Sequence, residues 1–450
     1  MLLEYREHQA EFDPGSFTFR PIIHRLSIPL PSVPHPVAVP EEDGTFRWQA
    51  GRLLDRLVLN VANYCNLDCV YCYAQGGDYG GPHEKMTFEI GRRAFDRFFS
   101  LYDAISTVQF FGGEPLLNAQ VIDRLCEYGW GLADKLQRKR PTFTVITNGT
   151  VMTPQIIDMV RTYGIKVTVS LDGPPEINDR LRIARSPSIS STSKLVEENV
   201  RWLKQETGQP AQVEGTFTRL HVEARCSVND VLDYIVSTLG VGQLHMPVNA
   251  VATVGIHDPY ALRDEDFAWA EQGYADAVAR TIGSLVTDRL DQVCILRSSL
   301  DIIEALLAAH VDESPFLCPA GNGTIAVDSN GKVYPCFMFY RMQQFEFGSV
   351  VEPVTVNQTA QSAFLSPIRP IVNPEIASSW AGRFVNGCAG GNYLKHGQHG
   401  VVSRQEVQLV EAMATAAIVE LAHLSQDENL WNYLPHAIRL FKLYQLVPDA

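Results

Sequence analysis

Three cysteines, Cys65, Cys69 and Cys72, fall in one short loop directly after an apolar, strand-like run, Leu57–Val61. Their spacing is Cys-x3-Cys-x2-Cys. A closed structural site for a tetrahedral ion takes four protein ligands. Three thiolates from one loop can instead hold three irons of a cubane and leave the fourth iron open to a small molecule. A zinc site completed by a distant fourth ligand, or three unrelated buried thiols, are the plainer alternatives. Zinc sites usually follow one Cys-x2-Cys pair with a second pair of ligands, and no such pair follows here. The loop therefore points to iron–sulfur chemistry at an open iron.

Other residues fit that chemistry. The run Phe110-Phe-Gly-Gly-Glu-Pro-Leu116 places two glycines where a backbone can approach a ligand closely, and Glu114 beside them could hold an ammonium group. Further on, Cys318 and Cys336 flank Asp328-Ser-Asn-Gly331, whose Asn-Gly pair is a hairpin signal that would bring the two cysteines together.

The elements that must position these residues alternate between β-rich runs and amphipathic stretches. Strands are expected at Leu57–Val61, Thr107–Phe111, Phe143–Thr147, Lys166–Leu171, Val213–Thr218 and Gln243–Val248. Helices are expected at Phe88–Leu101, Ala119–Arg138, Pro154–Tyr163, Ser193–Gln205 and Val228–Thr238. Such alternation means a parallel sheet with right-handed crossovers. The fold class is α/β, a partial (β/α)6 TIM-like barrel with its chemistry at the C-terminal ends of the strands.

Around residues 51–255, which make the barrel, four further pieces are expected. Residues 1–50 form a Pro-rich extension, with Pro21, Pro29, Pro31, Pro34, Pro36 and Pro40 favouring extended edge segments or a surface strap over a helix. Residues 256–310 read as a bridge of two helices, Glu265–Asp288 and Val293–His310. Residues 311–400 turn rich in Gly, Asn and Pro, which suits a small ligand-stapled module. Residues 401–450 close as two helices, Arg404–His423 and Glu428–Tyr444, expected to pack on the barrel.

Bulk properties narrow the function classes. The chain of 450 residues is 46% hydrophobic and 20% charged, the composition of a soluble globular protein, and suggests two or three domains. A net charge of −14 argues against a nucleic-acid partner. The N-terminus lacks the apolar core of a secretory signal, and no stretch is expected to reach the length of a transmembrane helix. Nine cysteines in such a chain read as reduced ligands and buried thiols, which places it in the cytoplasm.

Together the motifs resemble the radical S-adenosylmethionine (SAM) superfamily. The cysteine loop matches its cluster loop, including Tyr71 before the third cysteine, and Gly112-Gly113-Glu114-Pro115 matches the segment that binds the methionine amino group. Thr147-Asn-Gly-Thr150 and Ser170-Leu-Asp-Gly-Pro-Pro175 match later segments. The segment Asn178-Asp-Arg-Leu-Arg182 stands where the family has a His-Asp-x-x-Arg-like run, so Ser170 and Arg182 inherit contacts to the ribose and carboxylate, with Asn178 in the histidine position. The resemblance implies a [4Fe–4S] cluster with an open iron and SAM as cofactors. It also implies a reductant such as flavodoxin or ferredoxin, and a deoxyadenosyl radical that abstracts a hydrogen atom.

Cys318 to Cys336 resembles the auxiliary-cluster module called SPASM, or its shorter twitch form. A full module carries seven cysteines. This chain adds only Cys388, in Asn386-Gly-Cys-Ala-Gly-Gly-Asn392, where members commonly have a further cysteine at the position of Asn392. The resemblance thus implies one auxiliary cluster on Cys318, Cys336 and Cys388, its fourth site open or filled by another ligand; Cys388 as a plain buried residue is the alternative. Cys126, Cys226 and Cys294 read as packing residues.

Members with this module mostly act on peptides. Cys72–Gly80 and Glu214–His221 resemble maturases of ribosomally made peptides that install thioether or carbon–carbon cross-links. A precursor peptide is the expected substrate, with leader recognition by the N-terminal strap, a sheet edge or a separate protein. No catalytic residue beyond the cluster is assigned; Asp172, Glu214 and His245 lie near strand ends. The rival readings are a formylglycine-generating sulfatase-type maturase, which carries the full module, and a non-catalytic iron–sulfur or zinc protein.

Overall fold

Apolar runs rich in Val, Leu and Phe become strands here wherever a capped amphipathic helix can fold back over them. The computed structural model describes residues 1–6, 8–14, 18–20, 53–248, 258–308, 315–370 and 373–444. The chain opens with β1 (Leu2–Tyr5), β2 (His8–Asp13) and β3 (Thr18–Arg20), an antiparallel sheet. The barrel then runs β4 (Leu53–Ala62), a short β5 (Leu67–Cys69), α1 (Phe88–Leu101), β6 (Ala104–Gly112), α2 (Ala119–Lys135), β7 (Thr142–Thr147), α3 (Pro154–Tyr163) and β8 (Lys166–Ser170). It continues with α4 (Pro175–Leu181), β9 (Arg182–Ala184), α5 (Thr192–Thr207), β10 (Gln212–Glu214), α6 (Arg219–Glu223), α7 (Val228–Leu239) and β11 (Gln243–His245).

The six strands expected from the sequence all form, and neighbours among them pair in parallel in the order β4-β6-β7-β8-β10-β11. Helices cover the sheet, so Leu57, Val58, Leu59 and Val61 of β4 are all fully buried, the continuous apolar pattern of a parallel strand. Hydroxyl caps set the helix starts: Thr87, Thr153, Ser191 and Ser227 accept from the backbone N–H groups of Ile90, Ile156, Lys194 and Asp230.

Past the barrel come α8 (Asp264–Thr287), β12 (Ile295–Leu296) and α9 (Arg297–Leu307). Where one helix was expected over Val293–His310, its first residues add a parallel strand to β11. Val293, Cys294, Ile295 and Leu296 are all buried; a continuous apolar run without helical period suits a sheet edge.

At the other edge, the hairpin β13 (Thr324–Val327) and β14 (Lys332–Tyr334) forms as expected, its turn held by Asp328 accepting from the N–H groups of Asn330 and Lys332. β13 lies parallel to β4, with Thr324 opposite Arg56, and β15 (Gly348–Ser349) follows β14. The hairpin therefore extends the barrel's own sheet to ten strands, covering an edge that a partial barrel would otherwise leave open.

The chain ends with α10 (Gln358–Leu365), α11 (Pro374–Ser378), α12 (Ala389–His396), α13 (Arg404–Leu424) and α14 (Glu428–Tyr444). Expected to pack on the barrel, α13 lies instead against α8 and the N-terminal sheet. Tyr5, Phe12 and Phe19 of that sheet are buried, with Phe12 edge-on to Trp380 and Phe19 edge-on to Trp431. The six prolines of the expected strap lie outside the described residues. Against the expectation that no stretch reaches transmembrane length, α13 has the length and apolarity to do so; half of that window is buried inside the protein, the pattern of a core helix.

Candidate active site

The cysteine loop leaves the C-terminal end of β4 and is stitched to the end of β6. Gly113 N–H donates to Ala62 O at 2.8 Å and Glu114 N–H to Tyr64 O at 3.0 Å. This approach is the reason for the glycine pair: a Cβ on Gly112, whose φ is +148°, would stand 2.4 Å from Ala62 O, and one on Gly113 would stand 2.3 Å from Tyr64 O. Those neighbours are backbone and cannot step aside. Gly113→Ala is therefore expected to cost about 1–3 kcal/mol in chemical denaturation. Gly131→Ala, inside α2 with nothing within 4 Å of the new Cβ, should instead gain about 0.5–1 kcal/mol; equal losses at both sites would count against the stitching.

Glu114 is fully buried and accepts three hydrogen bonds, from Leu116 N (2.9 Å), Thr147 Oγ1 (2.8 Å) and Asn148 N (2.7 Å). Burial pushes its carboxyl up to about 7, against the lowering effect of those donors. A carboxyl whose folded pKa is raised stabilises most below its unfolded value and loses that contribution as pH rises through the folded value. The metal-free protein should thus lose stability on the order of 3 kcal/mol between about pH 4.5 and pH 7. Glu114→Gln should flatten that slope in urea titrations across the same window. An unchanged slope would mean that other groups dominate it.

The segment after β7 buttresses the loop. Asn148 Nδ2 donates to Asn66 Oδ1 at 2.9 Å and lies 3.5 Å from the Cys65 sulfur, while Asn66 Nδ2 donates to Thr150 Oγ1 at 2.8 Å. One short motif thus steadies both Glu114 and the first cysteine.

On the other side, β5 pairs with β9 in an antiparallel ladder that sets Cys69 opposite Arg182. Arg182 donates Nε and Nη2 to the two oxygens of Asp172, at 3.0 and 2.9 Å. Asp172 is fully buried and also accepts from Tyr71 Oη at 2.6 Å and Thr216 N at 2.8 Å. The guanidinium stands 5.7 Å from the centre of the Tyr71 ring. Burial pulls the Arg182 pKa down, and Asp172, Tyr71 and Cys69 outweigh it, so Arg182 stays charged. Tyr71 and Arg182, singled out from the sequence, are thus brought together, but through Asp172, to which the sequence assigned no role. Its position after Ser170 in a matched motif was the available signal. Ser170 ends β8 half-buried, in register with Glu214. Asn178 acts as a pin: its Oδ1 accepts from Asp172 N and its Nδ2 donates to Ser193.

The three thiols sense one another. Burial first, then Glu114, pushes Cys65 up to about 11. Burial also raises Cys69, with Arg182 opposing and Cys72 and Cys65 adding to the rise. Among the described residues no group of three His, Cys, Asp or Glu side chains is disposed to hold a single metal ion. A cubane instead gives each thiolate its own iron. Thiols this basic must give up protons when they become ligands.

The second trio also converges. Cys318 precedes β13, Cys336 follows β14, and the Cys388 sulfur caps α12, accepting from Gly391 N at 3.4 Å. Backbone N–H groups of Ala389 and Ala320 reach Cys318, and that of Met338 reaches Cys336. Burial raises the Cys318 and Cys336 thiols, and Cys388 raises both further; Cys388 itself is exposed, against its reading as a plain buried residue. A helix N-terminus aimed at sulfurs favours an anionic occupant. From β4, Arg56 reaches towards Cys336, Glu214, Asp55 and Cys318 and donates to Gln109 Oε1 at 3.1 Å. Cys126 and Cys294 are buried and Cys226 half-buried, their thiols raised by burial first of all.

Residues 59–233 match the model of the radical SAM superfamily. This part of the chain belongs to it. Over 142 residues the chain is 35% identical to an uncharacterized protein of Methanocaldococcus jannaschii, covering 32% of this chain and 46% of that relative. Over 164 residues it is 27% identical to the radical SAM cyclopropyl synthase TigE of Paramaledivibacter caminithermalis, covering 34% of each. The chain thus spans less than half the length of these curated relatives. Among solved structures, anSMEcpe with bound AdoMet is similar with a TM-score of 0.67 at 18% identity, covering 86% of this chain and 98% of that one. Another structure of anSMEcpe holds a Kp18Cys peptide. At that identity the likeness is one of fold. Radical SAM membership implies a [4Fe–4S] cluster and SAM, and the thiols, Glu114 and Arg182 are of the right chemistry to hold them.

Proposed function

We propose that this chain is a radical SAM maturase that forms an intrapeptide cross-link, thioether or carbon–carbon, on a ribosomally made precursor peptide. The observation that carries the reading is the join between the two halves of the site: the cysteine loop is tied to Glu114 by one set of bonds and to Arg182 by another. When bound, the cluster and SAM supply an electron and a hydrogen-abstracting radical. In this reading Cys65, Cys69 and Cys72 hold the cluster, with Tyr71 beside them. Gly112, Gly113 and Glu114 receive the methionine amino group, and Ser170 and Arg182 receive the ribose and carboxylate. The stitched backbone keeps these groups at fixed distances.

A cross-link removes two hydrogens from the peptide. One is abstracted, and the other leaves as a proton and an electron, so an electron acceptor is needed as well. Cys318, Cys336 and Cys388 would hold that acceptor, an auxiliary iron–sulfur cluster, with the Arg56 charge acting on Cys318 and Cys336. The peptide held by anSMEcpe supports a peptide substrate.

The test is anaerobic reconstitution followed by incubation with SAM, dithionite and each candidate short peptide found by sequencing the neighbouring genome segment. The expected results are release of 5′-deoxyadenosine and a mass loss of two hydrogens per link. Peptide backbone cleavage, or an unchanged mass alongside active SAM cleavage, would reject the cross-linking reading while leaving the radical SAM assignment in place.

A further inference from the structure

Asn392 is 1% exposed, and among the described residues neither its Oδ1 nor its Nδ2 has a hydrogen-bond partner. Each buried polar group left unpaired costs about 1–3 kcal/mol, so an amide orphaned at both ends is a residue waiting for a partner. It stands on α12 four residues after Cys388, and residues so spaced share a helix face. The same helix sends the Ala389 N–H to the Cys318 sulfur. A Cβ on Gly387, next to Cys388, would stand 3.4 Å from Asn392 Nδ2 and 3.6 Å from Leu317, next to Cys318. The orphan amide therefore lies beside Gly387 and Leu317, the chain neighbours of Cys388 and Cys318, in a module whose three cysteines are one ligand short of four.

We propose that Asn392 supplies the fourth ligand of the auxiliary cluster through Oδ1. This rests on the reading that Cys318, Cys336 and Cys388 hold a cluster. The competing donor is Met338, whose sulfur lies 3.5 Å from that of Cys388. A thioether is only a weak acceptor and needs no polar partner when buried; the amide does. An amide oxygen is neutral where a thiolate is anionic. The iron it holds is accordingly the first to be lost on oxidation, and the cluster's potential stands above that of its all-cysteine counterpart.

The test uses the full chain carrying Cys65→Ala, Cys69→Ala and Cys72→Ala, so that only the auxiliary site loads iron. After anaerobic reconstitution with 57Fe and sulfide, Mössbauer spectra should show about one quarter of the iron in a site distinct from the thiolate-bound remainder. Asn392→Cys should merge that site with the others and lower the midpoint potential in an EPR-monitored titration. Asn392→Leu should yield a three-iron cluster on mild oxidation. Four-iron spectra and potentials unchanged in both variants would overturn the proposal, as would a Met338→Leu variant that alone loses the distinct iron. A parent protein that loads no iron refutes the auxiliary cluster itself and takes this inference with it.

Discussion

Cys69→Ala is expected to lower the reconstituted iron content by about four per chain and to reduce SAM cleavage to background, with the fold intact. Cys69 sits in a two-stranded ladder opposite Arg182, and its backbone bonds do not depend on its side chain. Removing the thiol therefore takes away a ligand without unpicking the loop. Cys65 and Cys72 remain but cannot fix a cubane with two irons unsupported by protein. Cys126→Ala is the control: that cysteine is fully buried in α2 and far in role from either trio. It should cost some stability and leave both iron and SAM cleavage unchanged. Iron analysis, circular dichroism and deoxyadenosine release read the three quantities separately. Full iron content in the Cys69 variant, or zinc in place of iron in the parent, would sink the assignment of this loop.

What was legible in the sequence was what is local. Strands such as Leu53–Ala62 and helices such as Phe88–Leu101 and Pro154–Tyr163 show their period, caps and breakers within a dozen residues. The three cysteines and Gly112-Gly113-Glu114 were legible because their chemistry lies in spacing. The ladder of β5 with β9 was not: Leu67-Asp-Cys and Arg182-Ile-Ala are too short and mixed to signal strands, and their partners lie more than a hundred residues apart. Asp172 was hidden for the same reason. Its carboxylate gathers Tyr71, Arg182 and Thr216 from three separate segments, and only the folded chain brings those segments together. The placement of α13 against the N-terminal sheet likewise depends on residues from opposite ends of the chain. Asn392 is the reverse case: the sequence marked a missing cysteine, and burial gave the replacement its meaning.

The hub at Asp172 should produce the largest stability effect of any single change near the site. Asp172→Asn keeps the shape but removes the charge that balances Arg182, whose side chain is only 11% exposed. Breaking a buried pair from one side leaves an uncompensated charge and costs about 3–5 kcal/mol. The amide oxygen can still accept two of the four bonds, yet the amide nitrogen turns donors either toward Arg182 and Tyr71 or toward Arg182 and Thr216, where acceptors are required. Denaturant unfolding of the metal-free protein should register that loss. Adding Arg182→Met to the same chain removes the stranded charge, so the double variant should recover part of the lost stability. SAM affinity separates structure from function here. Both the single and the double variants should bind SAM weakly, because the guanidinium is misplaced in one and absent in the other. If the double variant were no more stable than Asp172→Asn alone, the pair would not be the element that holds β9 to the cysteine loop. If it bound SAM as tightly as the parent, Arg182 would have no part in holding the cofactor.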